Sequence, residues 1–468
     1  MTVSDQAWGG KHQYMDDLAE GLRERGHHVS VVCERGSRMH EHHRTTQRPH
    51  HAVAAFAAAP QTALADLGAL IDQEGAPDVL IVSGRHDAEV AHRLLEQRLP
   101  DRKLSTQCQA RPAVCLFRHS AFPLSEGTRT EELLRSTDLI VATSREQAER
   151  QFEHHVEAGT LRPRQVHVML SSVPPALEQR LSEVDREAAR EALQVDPEAF
   201  VFLVPARLSW EKGIDRALSA FAALPEGVRE LAVLIVAGEG PDEQALRAQC
   251  AAAGLEQQVI FAGHQEDMAP LYTAADVVVL ASTVPETGPL ALKEAMAAGL
   301  PVIASRLGGI PEFVKHEEHG FLVDSTEELV AAMERMVRDE ALAGSMGIRA
   351  RNDVLHKHML APRLDHFETQ LLALHLSTGV RAEALSELNW AEVRLKDEGD
   401  RGMVFVPANS LITVVDAEEM LVIEHAVRHG SSAALDDPRV GTDTLVRLVQ
   451  MAALVPLRLG QQNSGAPR

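Results

Sequence analysis

Two successive series of short apolar runs alternate with helical patterns over most of the chain, and this alternation restricts the fold to the α/β class. In the first series, strand-like runs lie at 28–33, 77–82, 111–117 and 138–143. In the second series, they lie at 200–204, 231–237, 258–262, 276–281 and 301–304. Strands that alternate with helices form parallel sheets covered by helices. We therefore predict two Rossmann-like domains that face each other across a cleft.

The segment 173–195 is rich in proline and charged residues, and it separates the two series. We place the N-terminal domain at 1–175, the C-terminal domain at 176–375 and an extension, expected to be mainly helical, at 376–468. A Rossmann-like sheet normally opens with a strand that leads into a glycine turn. Because only seven residues precede Trp8, we expect either that the first strand is missing or that the true start lies upstream of this sequence.

The composition excludes several functional classes. The 468 residues carry a formal net charge of −22 at pH 7, whereas nucleic-acid binding needs clustered lysine and arginine, so no nucleic-acid partner is expected. No apolar run is long enough to cross a bilayer, and no signal peptide is visible. The cysteines form no CxxC pair, which indicates free thiols at Cys33, Cys108, Cys115 and Cys250. The sequence predicts a cytoplasmic protein, with a peripheral contact at the inner face of the membrane left open.

Five histidines lie close together, at His40, His42, His43, His50 and His51. A metal site would also need cysteines or carboxylates at a defined ligand spacing, and the segment lacks them. We therefore interpret it as a solvated loop and predict no metal site there.

The segment 285–313 carries two carboxylates, Glu286 and Glu294, at opposite ends of a loop that opens into a helix. Between them, Gly288 allows the backbone to turn freely, and Pro289 suits the first turn of a helix. Free N–H groups at the start of such a helix bind anions. Glu294 should lie about two turns into the helix, on the face of Leu290. The pattern predicts a cradle for a phosphate and a sugar.

A basic pair, Arg207 and Lys212, lies in the loop after the strand 200–204. A guanidinium fork and a compact ammonium together suit a diphosphate and stabilise a leaving group as it gains negative charge. The same pair is also compatible with an ordinary surface. The turn that contains Gly238 and Gly240 follows the next strand, where it either allows close approach to a nucleotide or is a plain turn.

The segments ARLSWEKGID, VAGEGPDEQALR, VIFAGHQEDMAPLYTAADVVVLAS and ETGPLALKEAMAAGLPVIAS follow one another in this order. Together they resemble the donor half of glycosyltransferase family 4. The resemblance covers residues 8–375 and is strongest over 200–325. It implies the GT-B fold and transfer of a sugar from a nucleotide-sugar donor, with retention of the anomeric configuration.

Charged residues that match the family carry its roles by similarity. Arg207 and Lys212 would bind the donor diphosphate, and Glu286 would contact the sugar hydroxyls. Glu294 resembles the carboxylate that binds the ribose hydroxyls. His119 resembles the family's cleft histidine.

Glycine-rich and backbone positions match as well. The pair Gly9-Gly10 resembles the family's glycine loop near the donor phosphates. The backbone of Gly288, Pro289 and Leu290 would approach the sugar and phosphate, although Gly288-Pro289 stands where many members have Phe-Gly. Gly238 and Gly240 complete the set of expected donor-binding residues.

The resemblance also implies a mechanism, in which the departing phosphate helps to deprotonate an acceptor hydroxyl that attacks from the same face. No Asp-x-Asp element occurs in a setting that suggests metal-assisted binding, so Arg207 and Lys212 would replace a cation. We therefore predict a metal-independent, hexosyltransferase-like enzyme without a cofactor. It would add a sugar to a glycan or lipid-linked acceptor in polysaccharide biosynthesis.

The extension resembles a different family. Residues 372–395 look like the first arginine box of tyrosine recombinases, with Arg381 at the catalytic position, and 425–428 echo a later His-x-x-Arg element. A nucleophilic tyrosine is excluded there because the two tyrosines are Tyr14 and Tyr272. Two alternatives stay open: a non-catalytic nucleotide-sugar-binding protein, motivated by the missing first strand and the remnant-like tail, and a DNA-acting protein that uses 372–468.

Overall fold

The computed structural model describes residues 1–6, 8–98, 112–124, 126–162 and 165–377, together with five short strands between 388 and 456. The N-terminal domain contains the strands β1 (Thr2–Val3), β2 (Val31–Glu34), β3 (His50–Val53), β4 (Val79–Val82), β5 (Ala113–Arg118), β6 (Leu139–Ala142) and β7 (Val166–Val168). They form one parallel sheet in the order β3-β2-β1-β4-β5-β6-β7. The helices between them are α1 (Gly10–Glu24), α2 (Arg38–Thr45), α3 (Pro60–Glu74), α4 (Arg85–Arg98), α5 (Thr128–Ser136) and α6 (Arg145–Glu157).

The first strand of this sheet is present, so the prediction that it is missing is wrong. Strand β1 lies inside the sheet between β2 and β4, and Thr2 pairs with Val32 on one side and with Val82 on the other. Val3 is buried in the core of the domain. A strand of two residues has no periodicity that a sequence pattern could reveal. Its presence removes one of the two observations that motivated the non-catalytic alternative.

The histidine-rich segment is not a solvated loop, which corrects a second prediction. It forms α2 and β3, and His43 is fully buried with its Nε2 atom 3.0 Å from Oδ1 of Asp16. Burial opposes ionisation of Asp16, but hydrogen bonds from His42 and His43 and the charge of Arg48 hold its pKa well below the ordinary value. Among the described residues, no group of three or more histidine, cysteine or acidic side chains could hold a metal ion.

The C-terminal domain contains the strands β8 (Phe200–Pro205), β9 (Ala232–Ala237), β10 (Val259–Gly263), β11 (Val277–Leu280), β12 (Val302–Ser305) and β13 (Gly320–Val323). They form a parallel sheet in the order β10-β9-β8-β11-β12-β13. Its helices are α7 (Pro175–Glu183), α8 (Arg186–Ala192), α9 (Ile214–Ala222), α10 (Glu226–Arg229), α11 (Glu243–Ala252), α12 (Ala269–Ala274), α13 (Leu290–Ala297), α14 (Thr326–Arg338) and α15 (Glu340–Lys357).

Strand β8 shows why this sheet forms. Phe202 and Val204 face one hydrophobic core, whereas Val201 and Leu203 face the other. Such alternation of fully buried residues is typical of a parallel strand covered by helices on both faces. The five strands predicted for this domain are all found, and β13 is an additional strand.

Helix α16 (Leu360–Ser377) returns to the N-terminal domain. Its Leu364 and Phe367 share a core with Tyr14 and Leu18 of α1. By packing, the N-terminal domain therefore includes this helix, which differs from the predicted boundary at 375. The chain thus crosses between the domains twice, at 169–174 and at 356–360, and Val173 forms an isolated bridge to Met359. We call these two crossings the hinge.

Beyond Ser377 the described elements are antiparallel strands, whereas the sequence predicted a mainly helical extension. Strand β16 (Arg401–Val406) pairs with β15 (Arg394–Asp397) and β17 (Leu411–Asp416), and β14 (Leu388–Trp390) pairs with β18 (Leu454–Pro456). Arg381, His425 and Arg428 lie outside the described residues. None of the helices described here combines the length and apolarity that a membrane span requires. Free buried thiols are found at Cys33, Cys115 and Cys250, and Cys108 lies outside the described residues.

Candidate active site

The N-termini of helices α1 and α13 meet across the cleft between the domains. Gly9 precedes α1 with an extended backbone, Pro289 caps α13, and a Cβ atom built on Gly10 would lie 3.8 Å from Cβ of Leu290. Neither helix has an acidic residue in its first turn. Unsatisfied N–H groups and the positive ends of two helix dipoles therefore converge on one place. Such a place favours an anion.

Lys212 and Glu286 form a direct ion pair in the wall of this site. Nζ of Lys212 donates a hydrogen bond of 2.7 Å to Oε1 of Glu286, which also accepts a bond of 2.6 Å from Oγ of Ser282. Glu286 is buried, whereas the Lys212 side chain is 27% exposed. The pair connects the turn after β8 to the loop before α13. The buried carboxylate fixes the ammonium in position, so a cation stands ready at the cleft.

Arg207 lies in the loop after β8 and is exposed. Within the described part of the chain, its guanidinium takes part in no hydrogen bond or ion pair. The turn with Gly238 and Gly240 packs against this loop so closely that a Cβ atom on Gly240 would lie 2.1 Å from the carbonyl oxygen of Leu208. Only glycine permits that approach. The structure gives the turn a positioning role for the Arg207 loop.

Glu294 lies one turn into α13, rather than two turns as predicted, because the helix begins at Leu290. Its Oε2 atom accepts a hydrogen bond of 2.8 Å from Oη of Tyr272. Burial raises the pKa of Glu294. On α1, burial, together with the charges of Asp16 and Glu294, raises the pKa of Asp17 to about 8. The carboxyl groups of Asp17 and Glu294 belong to opposite domains and are close enough to interact electrostatically.

His119 follows β5 on the N-terminal side of the cleft. Its ring packs edge-on against Tyr14, with the ring centroids 5.6 Å apart. The Nε2 atom is buried and has no hydrogen-bond partner in the part of the chain that the structure describes. Burial, assisted by the charges of Lys11, His12 and Arg118, lowers the pKa of His119 to about 3. The imidazole is therefore neutral near pH 7 and can hydrogen-bond to a ligand without adding charge.

The loop before α13 lies directly against the N-terminal domain. Oγ1 of Thr143 donates to the carbonyl oxygen of Thr287, and Oγ of Ser171 donates to that of Gly288, both at 2.7 Å. Gly288 has φ of 121°, and a Cβ atom there would lie 2.9 Å from Oγ of Ser171 and from the carbonyl oxygen of Thr143. These carbonyl groups are occupied, so the backbone groups left for a ligand are the N–H groups that begin α13.

The predicted residues thus fall into three groups. The helix starts, the ion pair and Glu294 line the meeting place of the domains, and His119 joins them because its carbonyl oxygen accepts a hydrogen bond of 3.2 Å from Oγ1 of Thr287. Arg207 stands at the surface beside them, and the glycines at 238 and 240 support its loop. Sequence reasoning missed Ser282, Tyr272, Thr143 and Ser171. Ser282 and Thr143 had a usable signal, because each follows a buried strand at the ligand edge of a sheet.

Two family models match the chain, one for each domain. Residues 8–168 match Glycosyltransferase Family 4, and residues 185–353 match Glycosyl transferases group 1. The chain belongs to the family 4-like glycosyltransferases. The two matched ranges contain every predicted site residue.

Several curated proteins resemble this family 4-like glycosyltransferase over part of their length. Mannosylfructose-phosphate synthase of Agrobacterium fabrum is 29% identical over 56% of this chain, and D-inositol 3-phosphate glycosyltransferase of Rhodococcus opacus is 30% identical over 49%. N-acetyl-alpha-D-glucosaminyl L-malate synthase of Bacillus anthracis is 32% identical over 34%. The chain spans 57%, 52% and 41% of the lengths of these three relatives, in that order.

Solved structures share the fold of this family 4-like glycosyltransferase. The structure of HepE from Anabaena in complex with UDP has a TM-score of 0.63 at 20% identity, and the match covers 80% of this chain and 98% of that one. Sucrose-phosphate synthase from Thermosynechococcus elongatus has the same TM-score and identity, with 80% and 96% covered. The predicted GT-B fold is confirmed.

Proposed function

We propose that this chain transfers a sugar from a nucleotide-sugar donor to an acceptor, with retention of configuration and without a metal ion. One observation carries the proposal: two helix N-termini, one from each domain, converge, and the ammonium of Lys212 is held by Glu286, four residues before α13 begins. In a chain with a net charge of −22, this convergence marks a place built for an anion. A nucleotide diphosphate is the anion that the fold and the family favour.

The donor diphosphate would lie at the helix starts. Negative charge grows on it as the glycosidic bond breaks, and Lys212 and Arg207 would stabilise that charge together with the N–H groups that begin α1 and α13. Because Glu286 already holds Lys212, little reorganisation is needed during the reaction. These groups supply the electrostatic stabilisation that a bound cation provides in other transferases.

Retention follows if the acceptor attacks from the face that the diphosphate leaves. The acceptor oxygen then bonds to the anomeric carbon, and its proton passes to an oxygen of the departing phosphate. His119 would hold a sugar hydroxyl through its unpartnered Nε2 atom. Glu286 would accept another sugar hydroxyl, and Glu294 the ribose hydroxyls. We place this reaction in the cytoplasm, with peripheral contact at the membrane as a further possibility to test.

A glycan or lipid-linked acceptor of polysaccharide biosynthesis is our first choice. A specific observation also favours an anionic acceptor. Arg118, at the end of β5, is buried, with 7% of its surface exposed. It donates to Oε1 of Gln151 at 3.2 Å and to the carbonyl oxygen of Phe122. In the described ranges it pairs with no carboxylate, and the charges of Arg85 and Arg150 add to burial in lowering its pKa to about 10.

The names of two relatives, mannosylfructose-phosphate synthase and D-inositol 3-phosphate glycosyltransferase, agree with a phosphorylated acceptor or product. A buried arginine of this kind would bind a phosphate or carboxylate on the acceptor. Its replacement by glutamine should raise KM for an anionic acceptor more than for a neutral one. Equal effects on both would leave the neutral glycan as the better choice.

The test is an NMR assay of the full chain with UDP-, GDP- and ADP-sugars, in which the anomeric proton of the product reports its configuration. Neutral glycans, lipid-linked sugars and sugar phosphates serve as acceptors, with and without a chelator. A product that keeps the donor configuration, formed equally with the chelator and lost in Lys212→Ala, supports the proposal. Inversion, or dependence on a divalent cation, would contradict it.

A further inference from the structure

A cavity of about 440 Å³ lies at the hinge, and none of its lining residues belongs to the groups assigned above to the donor or acceptor. His167 of β7 lines it from the N-terminal domain, and Glu312 from the C-terminal domain. The second crossing and α16 contribute Lys357, His358 and Arg363. Both domains and the chain that joins them therefore form its walls.

The side chains in these walls are mostly basic. Glu312 is their one carboxylate, and its two oxygens already accept hydrogen bonds of 3.0 and 2.8 Å from the backbone N–H groups of Arg145 and Glu146 at the start of α6. Arg363 donates to the carbonyl oxygen of Lys357 at 2.7 Å. In the part of the chain that the structure describes, Arg363 pairs with no carboxylate. Its guanidinium thus keeps donors for a ligand.

Two ring nitrogens at this cavity are buried without a hydrogen-bond partner among the described residues: Nε2 of His167 and Nδ1 of His358. His358 is buried, with 3% of its surface exposed. Burial lowers the pKa of His167 to about 4 and that of His358 to about 3. Both rings are therefore neutral near pH 7, and each still has one N–H group to donate. A buried polar atom without a partner costs free energy that a ligand can recover.

We propose that the hinge cavity binds a phosphate-type oxyanion, either free or carried by a small metabolite. An oxyanion accepts hydrogen bonds only, and a guanidinium fork flanked by N–H donors matches its geometry. The volume leaves room for a small organic group next to the oxyanion. A cation is disfavoured by the charge of Arg363, while Lys357 at the rim forms an ion pair with Asp353 in its own helix. The inference goes beyond the proposed glycosyl transfer and does not depend on it.

Occupation of this cavity should be coupled to the donor site. Because its walls come from both domains, an oxyanion will bind with different affinity when the domains change their relative position. By linkage, the oxyanion then changes the affinity for any ligand that also depends on that position. The cavity is thus suited to a regulatory ligand of the transferase.

The experiment is a calorimetric titration of the full chain with sulfate, inorganic phosphate and a hexose 6-phosphate. Arg363→Gln and His358→Gln remove donors from the cavity, and Lys357→Gln removes a charge at its exposed rim. Arg338→Gln makes the same charge change on α14, where Arg338 pairs only with Glu334 in its own helix among the described contacts. Lys212→Ala removes a cation from the proposed donor site, so that binding of the probes there is distinguished from binding at the hinge. Thermal melts show whether each variant is folded.

We expect the oxyanions to bind the natural chain, Arg338→Gln and Lys212→Ala alike, and to bind Arg363→Gln at least about tenfold more weakly. If Arg363→Gln is unfolded, a several-fold loss in Lys357→Gln carries the same conclusion. Stronger binding of the hexose phosphate would identify a metabolite as the ligand, and equal binding a free oxyanion. Absence of binding at millimolar concentration would overturn the proposal. So would binding that is lost in Lys212→Ala and kept in the folded Arg363→Gln or Lys357→Gln.

Discussion

The ammonium of Lys212 lies 2.7 Å from Oε1 of Glu286, so these two charged side chains neutralise each other in the absence of a donor. Glu286 is 93% buried, with 7% of its surface exposed, and loss of Lys212 would leave a buried carboxylate without its cation. Glu286 retains the 2.6 Å hydrogen bond from Ser282 in that case. The pair therefore couples the stability of the loop before α13 to the electrostatics of the proposed diphosphate site.

Replacement of Lys212 by alanine should lower kcat/KM for sugar transfer by about 10²- to 10³-fold, the usual effect of removing one preorganised donor to a developing anion. Initial rates of nucleotide diphosphate release measure this loss. Lys315→Ala is the matched control, since Lys315 pairs with Glu318 at 3.4 Å on the surface with 51% of its side chain exposed. Equal rates for the two variants would refute the role assigned to Lys212.

The hydrogen bond from Tyr272 to Glu294 predicts a graded series of nucleotide affinities. Tyr272→Phe keeps the buried ring and removes the 2.8 Å bond, so we expect a loss of about 1 kcal/mol in binding, or about fivefold. Glu294→Ala removes the carboxylate itself and should weaken binding more than Tyr272→Phe does. Calorimetry gives both values. If Glu294→Ala binds nucleotide as tightly as the natural chain, Glu294 does not contact the ribose.

Gly288→Ala tests the close contact between the domains. The added Cβ atom would lie 2.9 Å from Oγ of Ser171 and from the carbonyl oxygen of Thr143, at φ of 121°. We expect a decrease in the free energy of unfolding of about 1 to 3 kcal/mol, together with a lower kcat/KM. In Gly344→Ala, the control, the Cβ atom meets nothing within 4 Å inside α15, and stability should rise by about 1 kcal/mol. Denaturant titrations measure the free energy of unfolding of both variants. An unchanged free energy of unfolding in Gly288→Ala would contradict the close contact between the domains.

Lys293 should make stability depend on pH. Burial, with the charge of Arg363 second, lowers its pKa from 10.5 to about 7. Between these two values the unfolded chain binds the proton and the folded chain does not, so the free energy of unfolding rises with pH over this window. Relative to Lys293→Met, the natural chain should gain at most about 2 to 3 kcal/mol between pH 7 and pH 9. Denaturant unfolding at several pH values measures the difference.

If the free energies of unfolding of the natural chain and of Lys293→Met differ by the same amount from pH 7 to pH 9, Lys293 does not titrate in that range. Two features of the lysine motivate this prediction. Its Nζ atom donates to the carbonyl oxygen and to Oγ of Ser171, at 2.8 and 2.7 Å. It also lies 4.4 Å from the ring centroid of Phe313 and forms no ion pair with a described carboxylate.

Most of the sheet strands that could be predicted from the sequence contain four or more consecutive apolar residues, as β8 and β9 do. Strand β1 was not predicted because two residues show no periodicity, and β3 was not predicted because it contains two histidines, which are polar. The polar ring of His43 can be buried because it lies against the carboxylate of Asp16. Asp16 belongs to α1, which is distant in the sequence. Long-range compensation of this kind leaves no local pattern.

The residues of the candidate site likewise fall into those that a local sequence motif reveals and those that it does not. Glu286, Lys212 and Glu294 could be predicted because their motifs are local and specific to a family. Tyr272 could not, because it reads as an ordinary aromatic residue of α12 until the fold brings it to Glu294. Helix α16 was assigned to the wrong domain for a related reason. Its apolar face shows that it packs, but the sequence does not show on which sheet.

The most direct test is a calorimetric titration of the full chain with UDP, GDP and ADP, with and without a chelator. We predict that one nucleotide binds, that the chelator leaves its affinity unchanged, and that Lys212→Ala loses binding while Lys315→Ala keeps it. A folded chain that binds none of the three, or one that binds only with a divalent cation, would contradict the assignment of the helix starts and Lys212 as the donor site.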